Sequence, residues 1–330
     1  MSFMSDVRWT RDPFLGSVVE EETGEQFVWG RGAIDDKHSV VGILQALETL
    51  LAREERPART FYIALGHDEE VGGKRGAREI AVRLEQLLEE HQEKLDFLLD
   101  EGMTVMEGVI PGMEDPVVYI GVVEKGWTML NLRVEGEQKH SSTPPRQSAT
   151  GVLARAISSL EQHRSPARFS EGPEYDTMTY LAPHMTFLYK LALSNLWIFH
   201  QIVSSVFAGQ FRILPSTTSN NTLFSGTGDS SLDAVQRTTT AVTVVRAGFK
   251  DNVVPGEASA IVNHRIHPSE TLVDILSHDR KVIDDERVNI TPIGYVPPPP
   301  VSPYSNDVTP FQIIANSALQ VWKPCIRCPE

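Results

Sequence analysis

Apolar residues at Val40, Ile43, Leu44, Leu47 and Leu51 recur at helical spacing through SVVGILQALETLLARE, which predicts an amphipathic helix starting near Ser39. A short strand, Gln26–Trp29, precedes it and leads into GRGAIDDK. The apolar run Phe61–Leu65 predicts a second strand, Ala77–Glu89 a second helix, and Leu95–Leu99 a third strand running into DEGM. Strands alternating with helices are the rhythm of an open α/β sheet covered by helices.

After Val117 the rhythm changes. Strands are predicted at Trp127–Val134, Thr239–Arg246, Ala258–Ile266 and Val288–Ile293, and helices at Thr150–Gln162 and Glu270–His278. Their order, βαββαβ, is the ferredoxin-like signature. An insert, residues 164–237, interrupts it. Its TTSNNTLFSGTGDSS stretch is poor in hydrophobic residues and reads as a mobile loop. Its most apolar part, Leu191–Phe207, is broken by Ser, Asn, His and Gln, so it predicts a helix packed on protein and not a membrane span. Four prolines, Pro297–Pro300, predict a stiff linker. Three parts are expected: 1–122, the N-terminal part of an open α/β domain; 123–296, an inserted domain; and 297–330, a partial return to the first.

Composition narrows the function. The 330 residues, 41% hydrophobic, suffice for two cores. A formal charge of −14 argues against a nucleic-acid partner, because phosphate binding wants a basic face. Cys325 and Cys328 are the only cysteines, so no disulfide framework is expected; CIRC has the spacing of half a zinc ribbon with no second pair. The opening MSFMSDVRWTRDPF lacks the basic start and apolar core of a signal peptide. Sequons at Asn220 and Asn289 matter only in a secretory compartment, and the compartment stays open.

Candidate chemistry lies in three acidic clusters, Asp35-Asp36, Asp68-Glu69-Glu70 and Asp100-Glu101. Each follows a predicted element of the α/β part, at the edge where such sheets bind ligands. Lys37 is the only obvious neutralising residue nearby in sequence. Converging carboxylates repel unless protons or a multivalent cation compensate them. The alternative is a set of solvated loop acids. Carboxylates alone suit magnesium or manganese, and added imidazole shifts the choice toward zinc. Gly30, Gly32, Gly72 and Gly73 fit the tight turns such loops need.

Six motifs in order, WGRGAIDDKHSVVGILQALE, ALGHDEEVGG, LLDEG, KHSSTPP, RTTTAVTVVRAGFKDNVVP and NHRIHPSET, resemble the two-zinc metallopeptidases that include carboxypeptidase S and aminoacylase. The resemblance is nearest to their N-fatty-acyl-amino-acid synthase/hydrolase branch. It implies an open α/β zinc-peptidase catalytic domain with an inserted ferredoxin-like lid, through which two copies dimerise. It implies two Zn2+ ions bridged by Asp35, with Glu70 ligating one and Asp100 the other. Glu69 would be the general base and His140 a lid histidine on the substrate carbonyl. Asn252 and Arg265 would hold the free carboxylate of an N-acyl amino acid or small peptide. The residues by themselves also allow blander roles: His140 in a loop, Asn252 in a turn, Arg265 in a surface ion pair.

Two departures shape the expectation. Lys139 stands where the family has glycine before its lid histidine. The family's HxD motif and its last ligand histidine have no match, and none of His38, His67, His264 and His267 replaces them. The chain is therefore expected to be shortened at both ends, to hold less than one tightly bound zinc, and to need further segments for amidase activity. A non-catalytic interaction module is the alternative. A magnesium-dependent phosphoryl-transfer enzyme is a weaker one, since no Walker-type loop is present.

Overall fold

The computed structural model describes residues 9–21, 23–102, 105–107, 110, 112–207, 231–305 and 307–322. The chain divides into two units, Met1–Glu101 and Gly102–Glu330.

In the first unit β1 (Ser17–Glu20) and β2 (Gln26–Trp29) form an antiparallel pair. Helix α1 (Lys37–Ala52) starts where the Asp36 carboxylate accepts from the Ser39 amide at 3.3 Å, an N-cap. Helix α2 (Ala77–His91) ends where Gln92 turns left-handed. Phe61–Leu65 and Leu95–Leu99, expected as strands, carry no strand pairing. An apolar run records a need for burial, but a strand exists only beside a hydrogen-bonded neighbour. Phe61 is 69% exposed and Leu98 73%. Among the described residues no apolar side chain of this unit is buried.

The second unit opens with a short pair, β3 (Val105–Met106) and β4 (Val117–Val118). Then come β5 (Gly126–Glu135), β6 (Lys139–His140), α3 (Ala149–Gln162), α4 (Pro173–Leu181), α5 (Phe187–Leu193), α6 (Leu196–Phe207) and α7 (Ser231–Val235). They are followed by β7 (Thr239–Ala247), β8 (Val253–Val254), β9 (Glu257–Ile266), α8 (Leu272–Ile283), β10 (Val288–Val296) and α9 (Thr309–Val321). Four strands build an antiparallel sheet in the order β10-β5-β9-β7. Along β5 and β9 every second side chain is buried: Leu130, Leu132 and Val134 on one, Ala260, Val262 and His264 on the other. That face packs on Val152, Leu153 and Leu160 of α3 and on Ile275 and Ile283 of α8. Helix α8 starts later than the sequence predicts because Thr271 and Asp274 form a capping box. Strand β10 runs on to Val296 past a register shift between Pro292 and Gly294, where proline has no amide to give the ladder.

The insert has its own core of Phe169, Met178, Leu181, Leu193, Leu196 and Val203. Its apolar run is two helices, not one. The break falls at Asn195, whose side chain donates back to the Leu191 carbonyl at 2.8 Å and offers the backbone an alternative to the helix. No helix among the described residues is long and apolar enough to cross a membrane. Residues 217–230 of the expected loop, the sequon at Asn220 and both cysteines lie outside the described residues.

Buried polar groups fasten the insert to the sheet. Arg168 donates to Glu270 at 3.1 Å, and Glu270 accepts from Thr238 at 2.6 Å. Arg237 donates to Asp233 at 2.8 Å and to the Ser165 carbonyl at 2.6 Å. Lys125, just before β5, donates to the carbonyls of Ala234 and Arg237. Burial lowers the Lys125 ammonium to about 8, against the pull of Asp233, Glu174 and Glu270. The folded amine thus releases its proton before the unfolded one does, so this group adds stability as pH rises from about 8 toward its ordinary value. Urea midpoints between pH 8 and 10 are expected to rise less in Lys125→Met than in the unsubstituted chain. Parallel pH profiles of the two proteins would refute it.

Candidate functional site

Local turns place the acidic clusters. Gly32, at φ +76, lets the chain turn so that the Lys37 amide reaches the Gly32 carbonyl at 2.9 Å. The Lys37 ammonium is spent on the Arg31 carbonyl at 3.1 Å, not on a carboxylate. The Asp35-Asp36 peptide is cis. Glu69 and Glu70 lie on a single 3-10 turn closed by Gly72 at φ +90.

Asp68 has an anchoring task. Its carboxylate accepts from the Arg75 amide at 2.6 Å, and that bond, partly offset by burial and helped by the Gly76 amide, holds it below the usual carboxylate range. A side chain at Gly76 would run into the Asp68 carboxylate and the His67 ring. Asp68 thereby fixes the HDEE turn at the start of α2. Glu101 reports the field around it: burial first, then the charges of Asp35, Asp36, Asp100 and Glu69, push its carboxyl above the usual range. The charges of four other carboxyls thus reach Glu101, without the five forming a close cluster. Glu101 was legible only as a member of the Asp100-Glu101 cluster, with no role of its own.

In the second unit β6 pairs with β8, His140 opposite Val253, and the Ser141 amide donates to the Asn252 carbonyl at 3.0 Å. His140 and Asn252 are therefore neighbours. The Asn252 side-chain oxygen is buried with no hydrogen-bond partner among the described residues, a vacancy for a donor. His140 is exposed, and its Nδ1 is engaged by Ser142. Lys139, at the family's glycine position, pairs with Glu137 at 2.8 Å. Arg265 is exposed near the far end of β9, opposite Trp127 and Thr239. Eight residues of strand separate it from Glu257, roughly 26 Å at 3.3 Å per residue, so one copy cannot bring Arg265 to its own Asn252.

The four-stranded sheet backed by α3 and α8 falls almost wholly within residues 122–291, which match the peptidase dimerisation domain of M20 enzymes. The chain belongs to the M20 peptidase family. It is 42% identical over 314 residues to the N-fatty-acyl-amino acid synthase/hydrolase PM20D1.1 of Danio rerio, a match covering 95% of this chain and 56% of that protein. The mouse PM20D1 enzyme is 40% identical over 95% of this chain and 57% of its own length. The probable carboxypeptidase S-like 2 of Dictyostelium discoideum is 35% identical, covering 98% and 56% respectively. The chain spans little more than half the length of these relatives. Human carnosine dipeptidase 1 shares the fold at a TM-score of 0.50 and 16% identity, covering 96% of this chain and 63% of that one.

Membership implies a metal cofactor, and the described residues do not make a centre for one. Asp35, Glu70 and Asp100 are all described, yet among the described residues no three His, Cys, Asp or Glu side chains group closely enough to hold a metal ion. Carboxylates without imidazole also favour hard cations over zinc. Elemental analysis after gel filtration is expected to find well under one zinc per chain. Two retained zincs would show that ligands come from elsewhere in this sequence.

Proposed function

We propose that this chain carries site residues of a metal-dependent hydrolase of amide bonds, acting on N-acyl amino acids or small peptides with a free carboxylate. N-fatty-acyl amino acids are the favoured substrates, by kinship with the relatives named above. The observation that carries the reading is the β6–β8 pairing, which sets an outward histidine beside an asparagine with an unfilled acceptor. In this reading Glu69 takes a proton from the attacking water, His140 donates to the carbonyl oxygen, and Arg265 pairs with the carboxylate through its planar fork. An oxyanion donor is worth roughly 3 kcal/mol. The sheet with α3 and α8 is read as the ferredoxin-like lid, 123–296, inserted between 1–122 and the returning 297–330. Exposed Phe187, Leu191, Trp197 and Ile202 on α5 and α6 suit an acyl tail. In a full-length version loaded with zinc, Glu69→Gln is expected to keep its metal and to lower hydrolysis of a long-chain N-acyl amino acid by at least a thousandfold. A loss under tenfold would remove Glu69 from that role.

The lack of a metal centre among the described residues favours a second reading, a chain that dimerises through the lid without turnover. No hydrolysis by the unsubstituted full-length protein, under the same conditions, would decide for it.

The reading also requires two copies, because His140 and Asn252 lie at one end of β9 and Arg265 at the other. A homodimer in which one copy lends His140 and the other Arg265 satisfies it. Inactive His140→Ala and Arg265→Ala proteins, refolded together, should regain activity in mixed dimers, since each mixed dimer holds one intact site. Sedimentation of a monomer, or a mixture as inactive as its parents while the unsubstituted dimer is active, would sink the shared site.

A further inference from the structure

His140 and His267 share one local device. The Ser142 amide donates to His140 Nδ1 at 3.2 Å, and the Ser142 hydroxyl lies 2.8 Å from the same nitrogen. At His267 the amide and hydroxyl of Ser269 stand at 3.2 Å and 2.9 Å from Nδ1. A backbone N–H can only donate. Nδ1 must therefore present its lone pair, and the neutral ring carries its proton on Nε2. At buried His267 that proton faces Glu174 at 3.6 Å, beyond hydrogen-bond reach, with no partner among the described residues. At exposed His140, Nε2 has no hydrogen-bond partner among the described residues.

We propose that Ser142 is a positioning residue that locks His140 as an Nε2–H donor for the substrate's carbonyl oxygen, an assignment that rests on the amide-hydrolase reading. In the other tautomer the Nε2 lone pair would meet the negative charge growing on that oxygen, and the donor would become a source of repulsion. The loop leaves the ring little room to choose. The Thr143 amide closes a turn onto the His140 carbonyl at 3.0 Å, and the Ser141 amide is tied to Asn252 at 3.0 Å. The ring is thus held from below while Nε2 stays open to a ligand. The motif is short enough to hide in sequence: HSS and HPS both place a serine two residues after the histidine.

Nitrogen-15 NMR of the histidine-labelled chain reads the tautomer directly, with His140 assigned by the signal lost in His140→Gln. At a pH where the ring is neutral, a bare Nδ1 and a protonated Nε2 are expected. Ser142→Ala removes one donor and Ser142→Pro both, so the population protonated at Nδ1 should rise stepwise, and Ser142→Thr should restore the original spectrum. In an active preparation Ser142→Ala is expected to lower kcat roughly five- to tenfold, with KM within about twofold. A proton on Nδ1 in the unsubstituted chain, or unchanged ring signals in both Ser142→Ala and Ser142→Pro, overturns the proposal. Because the spectrum needs no turnover, an inactive chain with a protonated Nε2 upholds the role of Ser142 in fixing the ring and counts against the hydrolase reading alone.

Discussion

Strands β5 and β9 face each other in unbroken register from Gly126 opposite Ile266 to Glu135 opposite Glu257. Because side chains alternate along a strand, a slip of one residue would turn Leu130, Leu132 and Val134 toward solvent and send Trp127 and Arg133 into the core. The same register continues past the sheet. The Gly136 amide donates to the Gly256 carbonyl at 2.8 Å, and beyond it β6 meets β8. A side chain at Gly136 would crowd Ala149, and one at Gly256 would crowd Gln138, so both glycines serve close approach. The position of His140 is thus inherited from the burial of leucines that touch no substrate.

The first unit obeys the opposite logic. Its defining residues are charged and lie on loops and a 3-10 turn, and its apolar side chains stay half-buried or exposed. Five carboxyls contribute to one field there, while the Lys37 ammonium donates to a carbonyl and not to a carboxylate. Exposure makes this tolerable: water and salt screen charges at a surface far better than in an interior. Burial first, and that repulsion second, raise Glu101 above the usual carboxylate range. Such a cluster attracts any cation, but selects zinc only when softer donors join it.

What the sequence revealed follows the range of the interactions. Helices α1 and α2 and the strands of the four-stranded sheet were legible because their patterns repeat locally, over a few turns or a few alternations. The HDEE turn was legible because acids beside glycines at the end of an apolar run are chemically unusual. Phe61–Leu65 and Leu95–Leu99 misled, because strand formation depends on a neighbour that a local pattern does not contain. The break at Asn195 depended on one side-chain bond, in a stretch that hydropathy reads as continuous. Asp68 as an anchor, Glu101 as the crowded carboxyl and Ser142 beneath the His140 ring each required a distance between atoms.

Geometry also constrains how two copies would complete a site. A two-fold axis across an edge strand reverses strand direction, so the Arg265 end of one β9 comes alongside the Asn252 end of the other. Strand β7 is the edge next to β9, whereas β5 lies between β9 and the opposite edge, β10. Pairing through β7 would leave the two β9 strands three spacings apart, roughly 14 Å, and pairing through β10 five spacings, roughly 24 Å. Only the first distance lets side chains from both copies reach one small substrate. Strand β10 is the poorer template as well, because Pro292 has no amide and the register shifts beside it. For a shared site, the β7 edge is the one that fits.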